Sequence, residues 1–202
     1  NLLSIIRVLA APCVAISFVV FERPLADQVA ILIFVTAAVT DYLDGLLARA
    51  LGQESAFGRM LDPVADKAMV TVALAMIISL YDLDWPIVVP AVLIMLREVL
   101  ISGLREFLAG LSVKLPVTRL AKWKTTIQMV AIGFLIAGPA GALLIPGAPL
   151  IGIIGLWAAA IITVVTGYQY VALGILKMTG PGTPAEAPEV TDVATTGAAD
   201  DS

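Results

Sequence analysis

Leu150-Ile-Gly-Ile-Ile-Gly-Leu-Trp-Ala-Ala-Ala-Ile-Ile-Thr-Val-Val-Thr-Gly-Tyr-Gln-Tyr-Val-Ala-Leu-Gly-Ile-Leu176 runs without a charged side chain. An unbroken apolar run of about 20 residues is long enough to cross a bilayer as a helix. The run is continuous rather than alternating, which favours a helix over a barrel strand. Working back toward the N-terminus, similar runs recur between polar breaks. We expect helices over about 2–21, 25–50, 62–80, 85–108, 118–137 and 150–176. Glu22, Arg23 and Pro24 mark the first break, and Asp82, Asp84 and Pro86 the third. Gly110, Lys114 and Pro116 mark the fourth, and Gly138, Pro139, Gly141, Pro146, Gly147 and Pro149 the fifth. The fold class expected is all-α, a polytopic membrane protein with six transmembrane helices.

Composition agrees. The 202 residues are 60% hydrophobic, against about 45–50% in soluble domains, and mean hydropathy is +1.00. Two parts are expected: a six-helix catalytic domain over 1–179 and an acidic tail over 180–202. The tail is rich in Thr, Ala, Pro and acid, lacks hydrophobic periodicity and is expected to be disordered. It holds Glu186, Glu189, Asp192, Asp200 and Asp201, which account for the net charge of −4. The body is near neutral, and no basic tract points to nucleic acid. The chain opens at Asn1, so further residues are expected upstream, and no cleavable signal peptide is evident.

The basic residues are unevenly placed. Arg23 stands alone at the junction of the first two helices, and the junctions of helices three–four and five–six have no Lys or Arg. The other eleven lie toward the opposite side. Positive residues favour the cytoplasmic face. Both termini and the loops after helices two and four are therefore expected in the cytoplasm, with the protein integral to the cytoplasmic membrane.

The chain has no histidine and one cysteine, Cys13. An internal disulfide is excluded, and so are catalytic triads that need an imidazole. Zinc draws on His and Cys, so a metal here would be a hard, oxygen-bound cation. Carboxylates that could bind one are concentrated in two segments, Asp41-Tyr-Leu-Asp44-Gly45-Leu-Leu-Ala48-Arg49 and Gly58-Arg-Met-Leu-Asp62-Pro-Val-Ala-Asp66. At 100° per residue, Asp41, Asp44, Gly45 and Ala48 share one helical face. Asp62 and Asp66, four apart, share another. Asp62 before Pro63 reads as a helix start, with Asp as N-cap and Pro at the first helical position.

Four carboxylates at a membrane boundary repel one another, and each intramembrane acid costs about 2.5–3.5 kcal/mol to insert. Two divalent cations would balance them and could clamp both oxygens of a phosphoryl-type transfer. Each feature alone has a plainer reading: Asp62 as a cap, Gly45 and Ala48 as a packing notch, Arg49 as an interfacial anchor. Their combination is more specific.

The combination resembles the signature of the CDP-alcohol phosphotransferase family, D-x2-D-G-x2-A-R-x8-G-x3-D-x3-D, at every defined position. The resemblance covers about residues 1–177. It implies the family's six-helix fold, usually a homodimer, with a site open to the cytoplasm. It implies that Asp41, Asp44, Asp62 and Asp66 bind two Mg²⁺ or Mn²⁺ ions and that Asp66 is the general base. Gly45, Ala48, Arg49 and Gly58 would line the CDP pocket.

The acceptor alcohol is read from other residues. Arg97, Arg105, Lys114, Arg119, Lys122 and Lys124 flank the junction of helices four and five. Arg97 lies in an apolar run and needs an anion; Glu98, adjacent and pointing elsewhere on a helix, is not the obvious one. A phosphate on the acceptor would serve, bound by Arg97, Arg105, Lys122 and Lys124. Two stretches resemble the family's phosphatidylglycerophosphate synthases: Leu96-Arg97-Glu98-Val99-Leu100-Ile101-Ser102-Gly103-Leu104-Arg105-Glu106 and Lys122-Trp123-Lys124-Thr125-Thr126-Ile127-Gln128-Met129. The opening Asn1-Leu-Leu-Ser4-Ile-Ile-Arg7 resembles the family's N-x-x-T-x-x-R, with Ser for Thr. The resemblance implies transfer of the phosphatidyl group of CDP-diacylglycerol to glycerol 3-phosphate. The alternatives are a sibling enzyme using inositol phosphate or serine, or a cation transporter that uses the same acids.

Overall fold

The computed structural model describes residues 2–51, 56–110 and 119–179, with side chains over 5–40, 64–110, 123–172, 174 and 175. The expected tail over 180–202 lies outside the described residues. Six helices follow in order: α1 Leu2–Val20, α2 Leu25–Leu51, α3 Ala56–Leu80, α4 Trp85–Gly110, α5 Arg119–Leu144 and α6 Ala148–Thr179. No strand occurs among the described residues.

Each helix packs on two neighbours in a closed circuit, α1–α2–α5–α6–α4–α3 and back to α1, with α3 also touching α5 across the middle. The core draws on all six: Val14, Phe34, Leu74, Ile77, Ile94, Leu135 and Leu156 are all buried. Three described segments, Trp85–Gly110, Trp123–Leu144 and Ala148–Ala172, are long and apolar enough to cross a bilayer. Ile5–Val20 and Leu25–Thr40 are apolar but shorter over the described residues. The chain is thus an integral membrane protein. Its outward faces are apolar, with Val19, Val99, Leu143, Leu150 and Ile154 exposed.

Lipid gives apolar surfaces no reason to leave it, so helices in a membrane associate by close contact and small residues. The α5–α6 seam shows this. A Cβ on Gly152 would lie 2.7 Å from Leu135 Cγ and 3.2 Å from the Ala131 carbonyl oxygen, and one on Gly155 would lie 3.0 Å from Ala131 Cβ. Glycine is what allows α6 this near α5.

The expected boundaries shift at two places. α3 begins at Ala56, so Asp62 and Pro63 lie inside the helix, and Asp62 is not its N-cap. Proline is tolerated within a membrane helix where neighbours compensate the lost hydrogen bond. Asp62 and Asp66 still share a face, now one helix turn apart within α3. The fifth helix does not stop at Ala137. It breaks at Gly138 (φ 46°, ψ −134°) and continues to Leu144. That backbone conformation is open to glycine and strained for other residues.

The break is held from two sides. Pro139 has no N–H, so it leaves the carbonyl of Leu135, four residues earlier, without its usual helical donor. The Tyr81 hydroxyl donates to that oxygen at 3.1 Å. Burial pushes the Tyr81 phenol above its ordinary pKa, so the group stays a donor. On the other side, the fully buried Asp27 pairs with Arg23 at 3.0 Å and packs against Gly138. α3 ends in a Schellman turn: Leu83 N–H donates to the Ile78 carbonyl and Asp82 N–H to the Ser79 carbonyl, with Asp82 left-handed at φ 53°.

Candidate active site

α1 and α3 run side by side, and this places Arg7 near the start of α1 against Asp66 on α3. Arg7 Nη1 donates to Asp66 Oδ1 at 2.7 Å. The Arg7 side chain is 5% exposed and that of Asp66 61%. A buried guanidinium needs a counter-charge, and Asp66 supplies it. The exposure also leaves the carboxylate a face that other groups can reach.

The next residue reaches the other way. Lys67 Nζ donates to Ser102 Oγ on α4. Successive residues on a helix point about 100° apart, so Asp66 and Lys67 tie α3 to two different neighbours.

Asp41, Asp44, Gly45, Ala48 and Arg49 lie on the last turns of α2, and Gly58 and Asp62 on the first turns of α3. Their side chains fall outside the described residues, as does that of Lys122 on α5. Asp41 and Asp44 are three apart along α2, and Asp62 and Asp66 four apart along α3. As a donor set, four carboxylates suit a hard divalent ion, and the accessible face of Asp66 is compatible with such a ligand.

The cations expected around an acceptor are partly gathered. Arg97 on α4 and Lys124 on α5 meet at one carboxylate, Glu98. Arg97 Nη1 bonds Glu98 Oε1 at 3.3 Å, and Lys124 Nζ bonds the same oxygen. The three side chains are 13%, 5% and 19% exposed for Arg97, Lys124 and Glu98. Glu98 is therefore the anion beside Arg97, a correction to the reading that set it aside. Adjacent helical residues diverge at Cβ, but both side chains are long enough to curl together, and Lys124, reaching over from α5, fixes the carboxylate between them. Arg97 Nε is buried with no hydrogen-bond partner among the described residues. Gly167 of α6 makes room for the Arg97 stem, since a Cβ there would lie 3.3 Å from Arg97 Cγ. Arg105 is two turns farther along α4 and sits over the Tyr170 ring, 5.6 Å from its centroid. Among the described residues no hydrogen bond ties it to Glu98, although its charge acts on Lys124.

Sequence reasoning thus missed Glu98, Ser102, Tyr170 and the placement of Arg7. Arg7 carried a signal in the N-terminal pattern. The others contact residues distant in sequence, which spacing within one helix does not report.

Comparison with known proteins follows the same lines. A profile of the CDP-alcohol phosphatidyltransferase family matches residues 1–166. A protein of Cereibacter sphaeroides is 54% identical over 138 residues, covering 68% of this chain and 62% of its own length. The chain therefore spans less than two thirds of that relative. One of Rickettsia bellii is 44% identical over 170 residues, covering 84% of this chain and 91% of its own. One of Haemophilus influenzae is 41% identical over 172 residues, covering 83% and 88%. All three are named CDP-diacylglycerol–glycerol-3-phosphate 3-phosphatidyltransferase.

Proposed function

Because the chain belongs to the CDP-alcohol phosphatidyltransferase family, we propose that it transfers the phosphatidyl group of CDP-diacylglycerol to glycerol 3-phosphate, releasing CMP. The observation that carries the acceptor assignment is the meeting of Arg97 and Lys124 on a single carboxylate. Among the described residues, two cations against one anion leave a positive charge in a poorly solvated place. A phosphate-bearing acceptor complements it, and a zwitterion such as serine does so less well. The names of the relatives support the same choice.

In this reading the acyl chains of the donor stay in the bilayer and its CDP lies along Gly45, Ala48, Arg49 and Gly58. Asp41, Asp44, Asp62 and Asp66 would hold two divalent ions, Mg²⁺ or Mn²⁺, which when bound neutralise the diphosphate and the departing CMP. Arg97, Arg105, Lys122 and Lys124 attract and orient the acceptor phosphate. Asp66 takes the proton from the acceptor's terminal hydroxyl, and Arg7 holds the Asp66 carboxylate in place. The hydroxyl oxygen bonds to the phosphorus that carries diacylglycerol. The bond from that phosphorus to the CMP oxygen breaks, giving phosphatidylglycerol phosphate and CMP. Positioning and charge neutralisation supply most of the rate in such transfers.

The distribution of basic residues supports a cytoplasmic site with both termini on that side. A homodimer accords with the family resemblance. The deciding experiment supplies purified protein with CDP-diacylglycerol, Mg²⁺ or Mn²⁺, and each acceptor in turn. CMP release with glycerol 3-phosphate is expected. Release with serine or inositol phosphate but not glycerol 3-phosphate would overturn the assignment.

A further inference from the structure

We infer that Glu98 is a positioning residue for the acceptor, holding Arg97 and Lys124 together so that one phosphate meets both. The inference rests on the reading above that the acceptor carries a phosphate.

Both cations end on the same oxygen, Oε1, and each spends one donor there. An ammonium carries three donors and a guanidinium five. With Nη1 turned to Glu98, the Nε edge of Arg97 faces away from the carboxylate, and its Nε has no partner among the described residues. That edge is the one a guanidinium offers to an oxyanion in a two-pronged contact. Glu98 therefore does two things. It orients the fork of Arg97, and it tethers the flexible Lys124 stem that reaches over from α5.

The charges explain why the tether is needed. Arg97 and Lys124 are nearly enclosed, so water screens their repulsion poorly. Without the carboxylate between them, one must swing away. A phosphate would then meet one cation in place of two. A competing account makes Glu98 a rival anion that the phosphate must displace. The two accounts predict opposite signs: loss of Glu98 weakens acceptor binding in the first and tightens it in the second.

The test is steady-state kinetics of the full chain in detergent micelles. Glu98→Gln should raise KM for glycerol 3-phosphate about tenfold, with kcat and KM for CDP-diacylglycerol within about twofold of the parent. Lys124→Gln should raise the same KM, and the double variant should rise no further than the larger single one, since residues acting as a unit are not additive. Glu98→Asp, which keeps the charge on a shorter arm, should fall between parent and Glu98→Gln. It also carries the test if Glu98→Gln does not fold.

A fall in KM, an unchanged KM, a loss of kcat and both KM values together, or full additivity in the double variant would overturn the inference. If Lys124→Gln raises KM for glycerol 3-phosphate while the Glu98 variants do not, only the role of Glu98 fails. If the parent does not use glycerol 3-phosphate at all, the acceptor assignment fails and takes this inference with it.

Discussion

The Tyr81 hydroxyl donates to the Leu135 carbonyl, the oxygen left without a helical donor because Pro139 has no N–H. The bond joins the end of α3 to the break in α5. Tyr81→Phe should cost about 0.5–1.5 kcal/mol of stability, the usual net worth of one hydrogen bond. Thermal unfolding in detergent would register it as a lower midpoint, while kcat at 25 °C stays near the parent value. An unchanged midpoint would mean that water satisfies the Leu135 oxygen in the variant.

Gly138 adopts a backbone shape that disfavours side chains, beside the buried Asp27 carboxylate. Gly138→Ala should destabilise by about 1–3 kcal/mol, the range for a residue held in a sparsely populated region. Gly141→Ala does not provide a strain-free control, because a Cβ there already meets Ala137 Cβ at 2.7 Å. Gly147→Ala, where φ is 84° but the surroundings are open, separates backbone strain from crowding. Comparison of the two unfolding midpoints checks it: similar losses assign the effect to the backbone.

Gly152 lies against Leu135 at a distance no ordinary side chain tolerates. Gly152→Leu should push α6 off α5 and cost about 1–3 kcal/mol, as overpacking does. Cross-linking between cysteines introduced on the two helices would report the separation directly. A cross-linking rate equal to that in the Gly152 protein would contradict close packing as the purpose of this glycine.

Asp66→Asn should lower kcat by about 10²–10⁴, the usual contribution of a general base, while leaving most CDP-diacylglycerol binding in place. The Arg7 contact makes the variant informative, because an amide oxygen can still accept from Arg7 Nη1 and the local fold is kept. Turnover within tenfold of the parent would remove Asp66 from that role.

Exhaustive chelation should abolish CMP release, and added Mg²⁺ or Mn²⁺ should restore it, because four carboxylates are a donor set for hard cations. The assay is CMP release before and after dialysis against chelator. Activity that persists in chelator-treated protein would exclude the proposed ions from the reaction.

How much of this was legible beforehand depends on the range of each interaction. The helices were, since apolar runs between Pro, Gly and charge are local signals. The break at Gly138 was partly so: the cluster from Gly138 to Pro149 marked a junction, yet the chain resumes a helix to Leu144 because Tyr81 and Asp27 come from other helices to support it. Asp62-Pro63 looked like a helix start on local grounds, and the structure places both inside α3. Glu98 was set aside because helical geometry fixes Cβ directions but not the reach of long side chains, and Lys124, which draws it in, lies on α5. The aspartate signature is a matter of spacing along the chain, and the side chains of Asp41, Asp44 and Asp62 lie outside the described residues. The contact of Arg7 with Asp66 was not legible, because α1 and α3 meet only in the packed circuit.

Asp66 and Lys67, consecutive on α3, are bound to α1 and α4 respectively. Two stays pulling in different directions from adjacent points stop a mast from turning. α3 is therefore held against rolling about its own axis at the level of Asp66, because a roll must strain the contact to α1 or the one to α4. Asp66 is carried by a helix with a fixed bearing, and in the proposed reaction that bearing would hold its carboxylate at one orientation through turnover.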